Sequence, residues 1–311
     1  MQYDLFPEHD EARFLAKIDT AIERIRMAED MSHRYMDSPL YICISGGKDS
    51  SVIQQLSIDS GCDVRFTHSH TTVDEPTTVR FVRSEFERLR SLGYVAEIKY
   101  PEKSMWQLIE HYNGLPPSRR MRYCCSYFKE RSVFTDSGRK AFIVTGVRWA
   151  ESPRRKTRAE FEVIASDPKR SVKVLMEDND LDRKLFEDCR LKGERVCNPI
   201  IDWSDDDVWN YIRRKDLPYN PLYDQGHKRV GCIGCPMVSP TERHKSFEKY
   251  PKYRKAYFDA IMRGMAKGRA NGIQYTWGQD VGFGTTTNDP TIPATKLFNW
   301  WIMSDFIKED K

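Results

Sequence analysis

Apolar positions in the first half of the chain recur at two spacings, one typical of helices and one typical of strands. Between residues 10 and 30, apolar side chains follow one another at steps of three and four, which predicts an amphipathic helix packed on a core. Short apolar runs follow, and each predicts a strand; they lie at residues 40–44, 63–70, 94–101 and 140–149. Residues 77–93 predict a helix that ends at Gly93.

Strands that alternate with helices at this spacing predict an α/β fold with a doubly wound, mainly parallel sheet. In such sheets the active residues lie at the carboxyl ends of the strands. Residues 202–212 predict a helix with Ser204 as its N-cap and Asp207 three residues later. Residues 281–295 predict a loop, and residues 296–307 predict an apolar helix or strand that docks on the rest of the chain.

The composition narrows the class of protein. Of the 311 residues, 39% are hydrophobic and 31% are charged, which is typical of a soluble globular protein. No apolar run approaches the roughly 20 residues of a membrane span, and the N-terminus is acidic where a signal peptide is basic. We therefore expect a cytoplasmic protein with no membrane partner. The net charge of +4 is too small to indicate an acidic partner.

A glycine-rich turn follows the first predicted strand and precedes a helix. Its glycines allow backbone N–H groups to converge on an anion, and its lysine, aspartate and serines add charges and hydroxyl groups. The spacing differs from that of a Walker loop, and an ordinary strand-to-helix turn is the alternative. The predicted nucleotide-binding residues of this turn are Ser45, Gly46, Gly47, Lys48, Asp49, Ser50 and Ser51.

Two pairs among the eight cysteines have the spacing of metal ligands. Cys124 and Cys125 are adjacent, and Cys232 and Cys235 form a Cys-x-x-Cys pair. In a reducing compartment, close cysteines are more often metal ligands or redox groups than disulfides. Adjacent thiolates diverge, and a four-iron cluster offers each thiolate a separate iron, whereas zinc requires a compact tetrahedron. A 4Fe-4S cluster is therefore predicted, with zinc or packed thiols as the alternatives.

These motifs resemble a known group of enzymes. The turn SGGKDS resembles the pyrophosphate loop of the PP-loop ATP pyrophosphatases and of the related phosphoadenylyl-sulfate (PAPS) reductase family. The two cysteine pairs are similar to those that hold a four-iron cluster in adenylyl-sulfate (APS) reductases. The run NPIIDWSDDDVWNYIRRKDLPYNPLYDQGHKRVGC, residues 198–232, is similar to a long reductase stretch. The resemblance implies an adenine nucleotide alpha hydrolase-like fold that binds ATP, APS or PAPS.

The segment VTGVRWAESPRR, residues 144–155, is similar to a Gly-x-Arg segment of the reductases. The resemblance implies that Gly146 lies at the nucleotide and that Arg148, Arg154 and Arg155 contact phosphate or sulfate oxygens, for which a forked guanidinium is suited. A solvated basic surface is the alternative for the arginines. The predicted catalytic residues are Lys48, Asp49 and Arg148.

The same features divide the chain into three predicted parts. Residues 1–38 form an N-terminal helical segment, and residues 39–240 form a PAPS reductase-like nucleotide-binding domain with the iron–sulfur cysteines. Residues 241–311 form a basic, helical C-terminal extension.

Two features depart from the reductases. Reductases of this family attack with a cysteine near the C-terminus, and no cysteine follows Cys235 in this sequence. The other cysteines have no neighbouring motif that would activate them; they are Cys43, Cys62, Cys189 and Cys197. In addition, residues 68–78 lack the Asp-Thr-Gly stretch of the reductases and resemble the reductase-like proteins of sulfur-modification and mobile-element defence systems.

Residues 68–78 also carry candidate ligands. Thr71 and Asp74 lie at the end of a predicted strand, where we expect them to contact the nucleotide. Asp74 or Glu75 could hold Mg²⁺ on ATP, and an acidic helix N-terminus is an equally good interpretation.

Three functions remain open at this point. The leading prediction is an ATP-using enzyme that adenylates an acceptor, releases pyrophosphate and transfers sulfur. The alternatives are an APS or PAPS reductase that forms sulfite, and a non-catalytic subunit that binds a nucleotide or a nucleic acid. A sulfur-donor protein and a homo-oligomer are both compatible with the sequence.

A basic stretch suggests what the acceptor could be. Residues 242–269 carry nine Lys and Arg against three Asp and Glu, with Tyr250, Tyr253 and Tyr257 interleaved. Lysine and arginine follow phosphates and tyrosine stacks on bases, so this stretch predicts a nucleic-acid site. The alternative is a solvated helix whose tyrosines face the core.

Overall fold

The computed structural model describes most of the chain. The described residues are 7–129, 133–135, 138, 140–164, 171–177, 185, 194–273 and 291–303. Cys189, and most of the predicted loop at residues 281–295, lie outside the described residues.

Helices and strands alternate along the first half of the chain, and helices follow. The helices are α1 (Pro7–Met36), α2 (Lys48–Ser60), α3 (Pro76–Ser91), α4 (Met105–His111), α5 (Tyr123–Phe128), α6 (Asp205–Arg214), α7 (Pro240–Lys249), α8 (Pro251–Ala270) and α9 (Thr291–Met303). The strands are β1 (Leu40–Cys43), β2 (Val64–Ser69), β3 (Val95–Lys99), β4 (Phe142–Val144), β5 (Phe161–Ile164), β6 (Val172–Val174) and β7 (Glu194–Cys197). The strands predicted from the apolar runs correspond to β1 to β4.

The strands of the described residues form one sheet in the order β3-β2-β1-β4-β7-β5-β6. β1 pairs in parallel with both β2 and β4, and β4 pairs in parallel with β7. β5 pairs antiparallel with both β7 and β6. Helices flank this sheet, so the predicted α/β fold with a mainly parallel sheet is confirmed. The apolar pattern did not predict β5, β6 and β7, because strands of three or four residues show too little periodicity.

The chain divides into two compact units. The first comprises residues 1–68, 77–99 and 132–230 and carries the sheet apart from the last residue of β2. The second comprises residues 69–76, 100–131 and 231–311. The three parts predicted from the sequence use other boundaries, and they stay a prediction.

The core of the first unit forms around β1. Ile42 of β1 lies opposite Phe66 of β2 on one side and Val144 of β4 on the other, and all three side chains are buried. Ile25 of α1 and Ile53 of α2 join the same core, which confirms the amphipathic helix predicted for residues 10–30. Burial of these side chains supplies the main force that fixes β1, and with it the turn that follows.

Two predicted helix ends have the expected geometry. Gly93, after α3, has a φ of +89°, a left-handed conformation that a glycine adopts without strain. At the start of α6, the Ser204 hydroxyl accepts a hydrogen bond from the Asp207 N–H, and the Asp207 carboxylate accepts one from the Ser204 N–H. The predicted capping box is therefore confirmed.

The core of the second unit is built by α4, α8 and α9. An added Cβ at Gly264 of α8 would lie 2.3 Å from the Gly114 nitrogen, so glycine allows α8 to approach the turn after α4. Trp301 of α9 is buried, and its indole N–H donates to the Pro117 carbonyl over 2.9 Å. The apolar C-terminal segment is thus a helix packed on this core. None of the described helices is long and apolar enough to cross a membrane.

The tyrosines of the basic stretch face the core of the second unit. Tyr257 is buried, whereas Tyr250 and Tyr253 are half-buried and pack on the same core. The prediction that these rings stack on bases is therefore wrong for Tyr257, because burial of an aromatic ring in the core excludes a base from its faces. The lysines and arginines of the stretch are mostly exposed.

Candidate functional site

The glycine turn joins β1 to α2 in the first unit. Gly46 has a φ of +80°, and a Cβ there would lie 2.8 Å from Val82 Cγ2 and 2.9 Å from Thr78 Cγ2. Both the backbone conformation and the space therefore require glycine at this position. Gly47 is the N-cap of α2 and has an extended backbone. The first N–H groups of α2 have no partner within the helix, which is the arrangement that binds anions.

The serines of the turn differ in their roles. The Ser50 hydroxyl donates to the Gly47 carbonyl over 2.7 Å, and the Ser51 N–H donates to the same carbonyl over 3.1 Å. The Ser45 hydroxyl oxygen lies 3.4 Å from the Gly47 nitrogen and accepts its N–H. Ser50 therefore stabilises the turn. The Ser45 hydroxyl accepts the Gly47 N–H, which could donate to a bound anion instead.

Two cations and two carboxylates meet at the start of α2. The Lys48 ammonium lies 2.9 Å from Asp205 Oδ1 and 3.3 Å from Asp49 Oδ2. Arg148 Nε donates to Asp49 Oδ1 over 2.6 Å, and Arg148 Nη2 donates to Asp205 Oδ1 over 2.7 Å. Hydrogen bonds from Lys48 and Arg148 lower the pKa of Asp205, whose side chain is 68% exposed. A phosphate could replace this exposed carboxylate as the partner of both cations.

The segment after β4 brings Arg148 to this point. An added Cβ at Gly146 would lie 3.2 Å from the Asp49 carbonyl carbon, so a glycine permits the close approach to α2. Arg148 is 1% exposed, and its Nη1 donates to the Trp203 carbonyl over 3.0 Å. All three nitrogens of the guanidinium are thus engaged, which fixes its orientation.

The structure places three further residues at the turn that the sequence analysis did not single out. The Lys48 N–H donates to the Tyr223 hydroxyl over 3.1 Å, and the Asn220 side chain donates to the Gly46 carbonyl over 3.1 Å. Asp205 is the third of these residues. All three lie inside the run at residues 198–232, so its similarity to the reductases was the available signal.

The two later arginines have different surroundings. Arg154 is exposed, whereas Arg155 is half-buried and forms an ion pair with Glu151. Burial lowers the pKa of Arg155, and the nearby guanidinium groups of Arg229 and Arg158 lower it further. Several positive charges therefore gather near Arg155, whereas Arg154 is exposed, and the phosphate-binding roles of both arginines stay predictions.

The four predicted metal ligands all lie in the second unit. Cys124 and Cys125 lie on α5, and Cys232 and Cys235 lie in the turn before α7. A hydrogen bond with the Cys125 thiol and burial raise the pKa of Cys124, and the thiols of Cys232 and Cys235 raise it further. The fold therefore brings the two distant cysteine pairs close enough for the Cys124 thiol to interact with the other three thiols.

Neighbouring groups orient the Cys232 thiol. The Thr71 hydroxyl lies 3.5 Å from Cys232 Sγ, and Asp74 Oδ1 lies 3.9 Å from it. Burial raises the pKa of Cys232, and the positive charge of Lys129 opposes this effect. In turn, the Cys232 thiol and the Asp74 carboxylate raise the pKa of Lys129. A lysine at this position stabilises the thiolate form of Cys232.

The Cys232–Cys235 turn is held by buried contacts. Gly234 has a φ of +71°, and a Cβ there would lie 2.7 Å from Phe247 Cζ. The Tyr257 hydroxyl donates to the Ile233 carbonyl over 3.0 Å. Arg243 is 1% exposed, and it donates from Nε to the Cys235 carbonyl over 3.4 Å. The donor set of four thiols on rigid supports fits a 4Fe-4S cluster.

Thr71, Asp74 and Glu75 belong to the second unit, and their polar groups serve local contacts. Asp74 Oδ2 accepts from the Thr71 N–H over 2.7 Å and lies 2.9 Å from His70 Nδ1, while Asp74 Oδ1 accepts from the Thr71 hydroxyl over 2.7 Å. Glu75 accepts a hydrogen bond from the Tyr250 hydroxyl. Their roles in binding a nucleotide or Mg²⁺ stay predictions.

The other described cysteines are poor nucleophiles. Burial raises the pKa of Cys43 to about 12, and burial also raises the pKa of Cys62 and of Cys197. A thiol with a raised pKa is protonated at neutral pH, and the thiolate is the reactive form.

Residues 39–238 match the phosphoadenosine phosphosulfate reductase domain. The chain is 28% identical over 209 residues to the adenosine 5'-phosphosulfate reductase of Staphylococcus haemolyticus, which covers 65% of this chain and 71% of that protein. It is similar to the solved PAPS reductase from Candida auris, with a TM-score of 0.44 and 19% identity over 68% of this chain and 88% of that chain. It is also similar to the U34-tRNA thiolase NcsA from Methanococcus maripaludis, with a TM-score of 0.40 and 12% identity over 86% of this chain and 87% of that chain. Since the domain match extends over more than half of its residues, the chain belongs to the phosphoadenosine phosphosulfate reductase domain family.

Proposed function

We propose that this protein is an ATP pyrophosphatase-type enzyme that adenylates an acceptor and couples this step to sulfur transfer. The observation that carries the proposal is the arrangement at the start of α2, where the Gly46–Gly47 turn meets Lys48 and Arg148. Backbone N–H groups and two cations at one helix N-terminus suit a polyphosphate.

Each residue of this arrangement has a proposed role. Gly46 and Gly47 shape the turn that receives the β- and γ-phosphates, and Lys48 moves from Asp205 to a phosphate oxygen. Arg148 stays fixed by Asp49 and the Trp203 carbonyl, and it stabilises charge on the phosphate as the α–β bond breaks. Ser45, Ser51, Gly146 and Arg155 complete the proposed nucleotide contacts, and Arg154, which is exposed, keeps its predicted role only as a proposal.

The chemistry is redox-neutral when the sulfur donor is sulfide. An acceptor oxygen attacks the α-phosphorus, the α–β phosphoanhydride bond breaks, and pyrophosphate leaves. Hydrosulfide then attacks the atom that carries the adenylated oxygen, and AMP leaves with that oxygen. One ATP and one sulfide thus give AMP, pyrophosphate and an acceptor in which sulfur replaces oxygen. Sulfide, free or released by a donor protein, is the co-reactant that the proposal requires.

We further propose that Cys124, Cys125, Cys232 and Cys235 hold a 4Fe-4S cluster. Such a cluster, when bound, would have one of these thiolates on each of its four irons, and it would supply an electron-transfer centre that holds the two cysteine pairs together. Lys129 then balances thiolate charge, and Arg243 and Tyr257 keep the Cys232–Cys235 turn in place. A reducing compartment such as the cytoplasm predicted from the sequence suits four free thiols.

An APS reductase is the second candidate, because the relative from Staphylococcus haemolyticus carries that name. That activity requires a thiolate that attacks the sulfonucleotide. The raised pKa values of Cys43, Cys62 and Cys197 argue against these three thiols as the nucleophile. The reductase therefore needs another thiol, either Cys189, which lies outside the described residues, or one from a partner, and the ATP-dependent function needs none.

A thermal-shift titration of the anaerobically purified protein with Mg-ATP, APS and PAPS separates the candidates. A ligand that binds the folded state raises the unfolding midpoint with the logarithm of its concentration. We expect Mg-ATP to stabilise the wild type but not Lys48→Ala. The control variant Lys173→Ala, which replaces an exposed lysine of β6, should be stabilised like the wild type. Stabilisation by a sulfonucleotide and none by ATP would replace the proposal with the reductase. Binding of ATP without pyrophosphate release in the presence of sulfide and candidate acceptors would favour the non-catalytic subunit.

Metal analysis tests the cluster separately. We expect about four irons and four labile sulfides per chain in the wild type. Cys232→Ser should lose most of both, whereas Cys43→Ser should keep them, because Cys43 lies on β1 in a different unit. Stoichiometric zinc in the anaerobic wild type would contradict the cluster and leave the ATP-binding proposal untouched.

A further inference from the structure

We infer that the sulfur acceptor is a nucleic acid, bound by a basic surface on the second unit. This surface comprises the exposed side chains at the end of α7 and the start of α8, together with two arginines before α5; they are Lys245, Lys249, Lys252, Arg254, Lys255, Arg119 and Arg120. The inference rests on the proposed function, and it names the class of acceptor.

The charge of the chain is divided unequally. The second unit contains 18 Lys and Arg against 13 Asp and Glu, whereas the first unit contains 32 against 33. The net charge is therefore +5 in the second unit and −1 in the first, and the whole-chain value of +4 conceals this difference. This excess is small, and it supports a polyanionic partner only together with the clustering of exposed cations on one surface of the second unit.

One arginine of the basic surface contacts the turn that carries two of the thiols. Arg119 donates to the Pro236 carbonyl over 3.2 Å and to the Val238 carbonyl over 3.3 Å. On the other side, Arg243 of α7 donates to the Cys235 carbonyl. Arg119 before α5 and the buried Arg243 of α7 are thus both attached to this short turn.

A chain of contacts joins the junction of α7 and α8 to Cys232. Tyr250 lies at this junction and donates its hydroxyl hydrogen to Glu75, and the residue before Glu75, Asp74, pairs its backbone with Cys232. Lys249 lies 5.4 Å above the Tyr250 ring. The junction of α7 and α8 is therefore linked through Glu75 and Asp74 to the turn that carries Cys232.

Some of these cations have acidic neighbours, and others are directed to solvent. Lys255 pairs with Asp259 at 2.5 Å, and Lys245 pairs with Glu242 at 3.6 Å. Lys252 and Arg254 are exposed at the first turn of α8. Exposed ion pairs contribute little, so a phosphate backbone can compete for the paired lysines as well.

A nucleic acid also provides the acceptor atom that the chemistry needs. Adenylation followed by sulfide attack requires an oxygen on an electrophilic carbon or phosphorus, and nucleobase carbonyls and backbone phosphates both supply one. The same molecule therefore supplies the negative charge that binds and the oxygen that is replaced. Recognition by base stacking on Tyr257 is excluded because that ring is buried.

Fluorescence anisotropy with labelled 30-mers of single-stranded RNA, single-stranded DNA and duplex DNA, over a range of salt concentrations, tests the inference on the full-length anaerobic protein. We expect binding by at least one of the three that weakens steeply with salt. Lys252→Glu/Arg254→Glu should raise its Kd by about tenfold and should reduce the salt slope by about 1.4 if two single-strand phosphate contacts are lost. The milder Lys252→Gln/Arg254→Gln variant should act in the same direction by a smaller factor, and unchanged unfolding midpoints exclude misfolding.

The matched control makes an equal change in net charge, but on the first unit. Arg80→Glu/Arg83→Glu replaces two exposed arginines of α3, and we expect it to leave the Kd within about twofold. Equal weakening by both double variants would overturn the inference, and so would the absence of binding at low salt. A heparin affinity equal to that for the nucleic acids would also overturn it, because any polyanion would then suffice.

Measuring the Mg-ATP shift on the same samples separates this inference from the proposed function. A retained ATP shift without nucleic-acid binding overturns only the inference. Nucleic-acid binding without an ATP shift overturns the proposed function, and with it the role of the nucleic acid as an adenylated acceptor.

Discussion

Replacement of Gly46 by alanine tests whether the turn depends on backbone geometry. At a φ of +80°, an alanine costs about 1–2 kcal/mol relative to its preferred backbone region. The new Cβ would lie 2.8 Å from Val82 Cγ2 and 2.9 Å from Thr78 Cγ2, and overlap of this kind in a packed region costs about 1–3 kcal/mol. The two effects together predict a loss of about 2–5 kcal/mol in the free energy of unfolding.

Urea denaturation followed by far-UV circular dichroism measures this loss. With an m-value of about 3 kcal/mol/M, the midpoint of the first unit should fall by about 1 M. Gly47→Ala is the matched control, because Gly47 has a φ of −94° and its added Cβ would lie 3.4 Å from the nearest atoms. We expect that variant to shift the midpoint by less than about 0.3 M, since its backbone needs no left-handed conformation.

A second substitution locates the overlap. Thr78→Ser removes the Cγ2 methyl but keeps the hydroxyl that accepts from Asn220 over 2.9 Å. In the Gly46→Ala background it should recover about 1 kcal/mol, while in the wild type it should not stabilise the protein. Equal losses for Gly46→Ala and Gly47→Ala, or no recovery with Thr78→Ser, would show that neither the left-handed backbone nor the overlap requires glycine at position 46. The ATP-dependent thermal shift should disappear in Gly46→Ala, because the displaced turn no longer presents its N–H groups.

Three further substitutions give measurable results. Lys48 and Arg148 lower the pKa of Asp205, so the ionised Asp205 side chain stabilises the fold above about pH 4, and this stabilisation is lost as the pH falls through the lowered pKa. The urea midpoint of Asp205→Asn should therefore approach that of the wild type towards pH 2. A difference between the two midpoints that grows as the pH falls would contradict this. Arg243→Lys should cost about 2–3 kcal/mol because a lysine cannot reproduce the buried fork, whereas the exposed Arg254→Lys should be neutral by the same denaturation assay. Gly234→Ala should lower the thermal midpoint more than Gly272→Ala. Both glycines have a positive φ, but only a Cβ at Gly234 would contact a ring, 2.7 Å from Phe247 Cζ. Equal losses would show that the Phe247 ring moves aside.

Local patterns were sufficient to predict several elements. The Ser204–Asp207 capping box, the end of α3 at Gly93 and the strand–turn–helix around Gly46 each depend on residues within a few positions of one another. Because these interactions are local, the sequence contains all of their participants side by side. The four cysteines were also recognisable, since thiols at close spacing have few other uses in a reducing compartment.

The short strands β5, β6 and β7 could not be predicted in this way. Their stability comes from pairing with one another and with β4, and a run of three or four residues has little pattern of its own. The burial of the tyrosines at residues 242–269 could not be predicted either, because their spacing among lysines does not indicate which rings pack in the core of the second unit.

The amino-acid sequence alone was enough to predict an α/β fold, a phosphate-binding turn and a set of four thiols, because each depends on the type and spacing of neighbouring residues. Only the folded chain decided which partners surround them. Tyr223 reaches the Lys48 N–H across 175 positions, and Asp205 reaches Arg148 across 57. Contacts over such separations follow from the order of strands in the sheet and from the packing of helices on it, which are cooperative properties of the whole core.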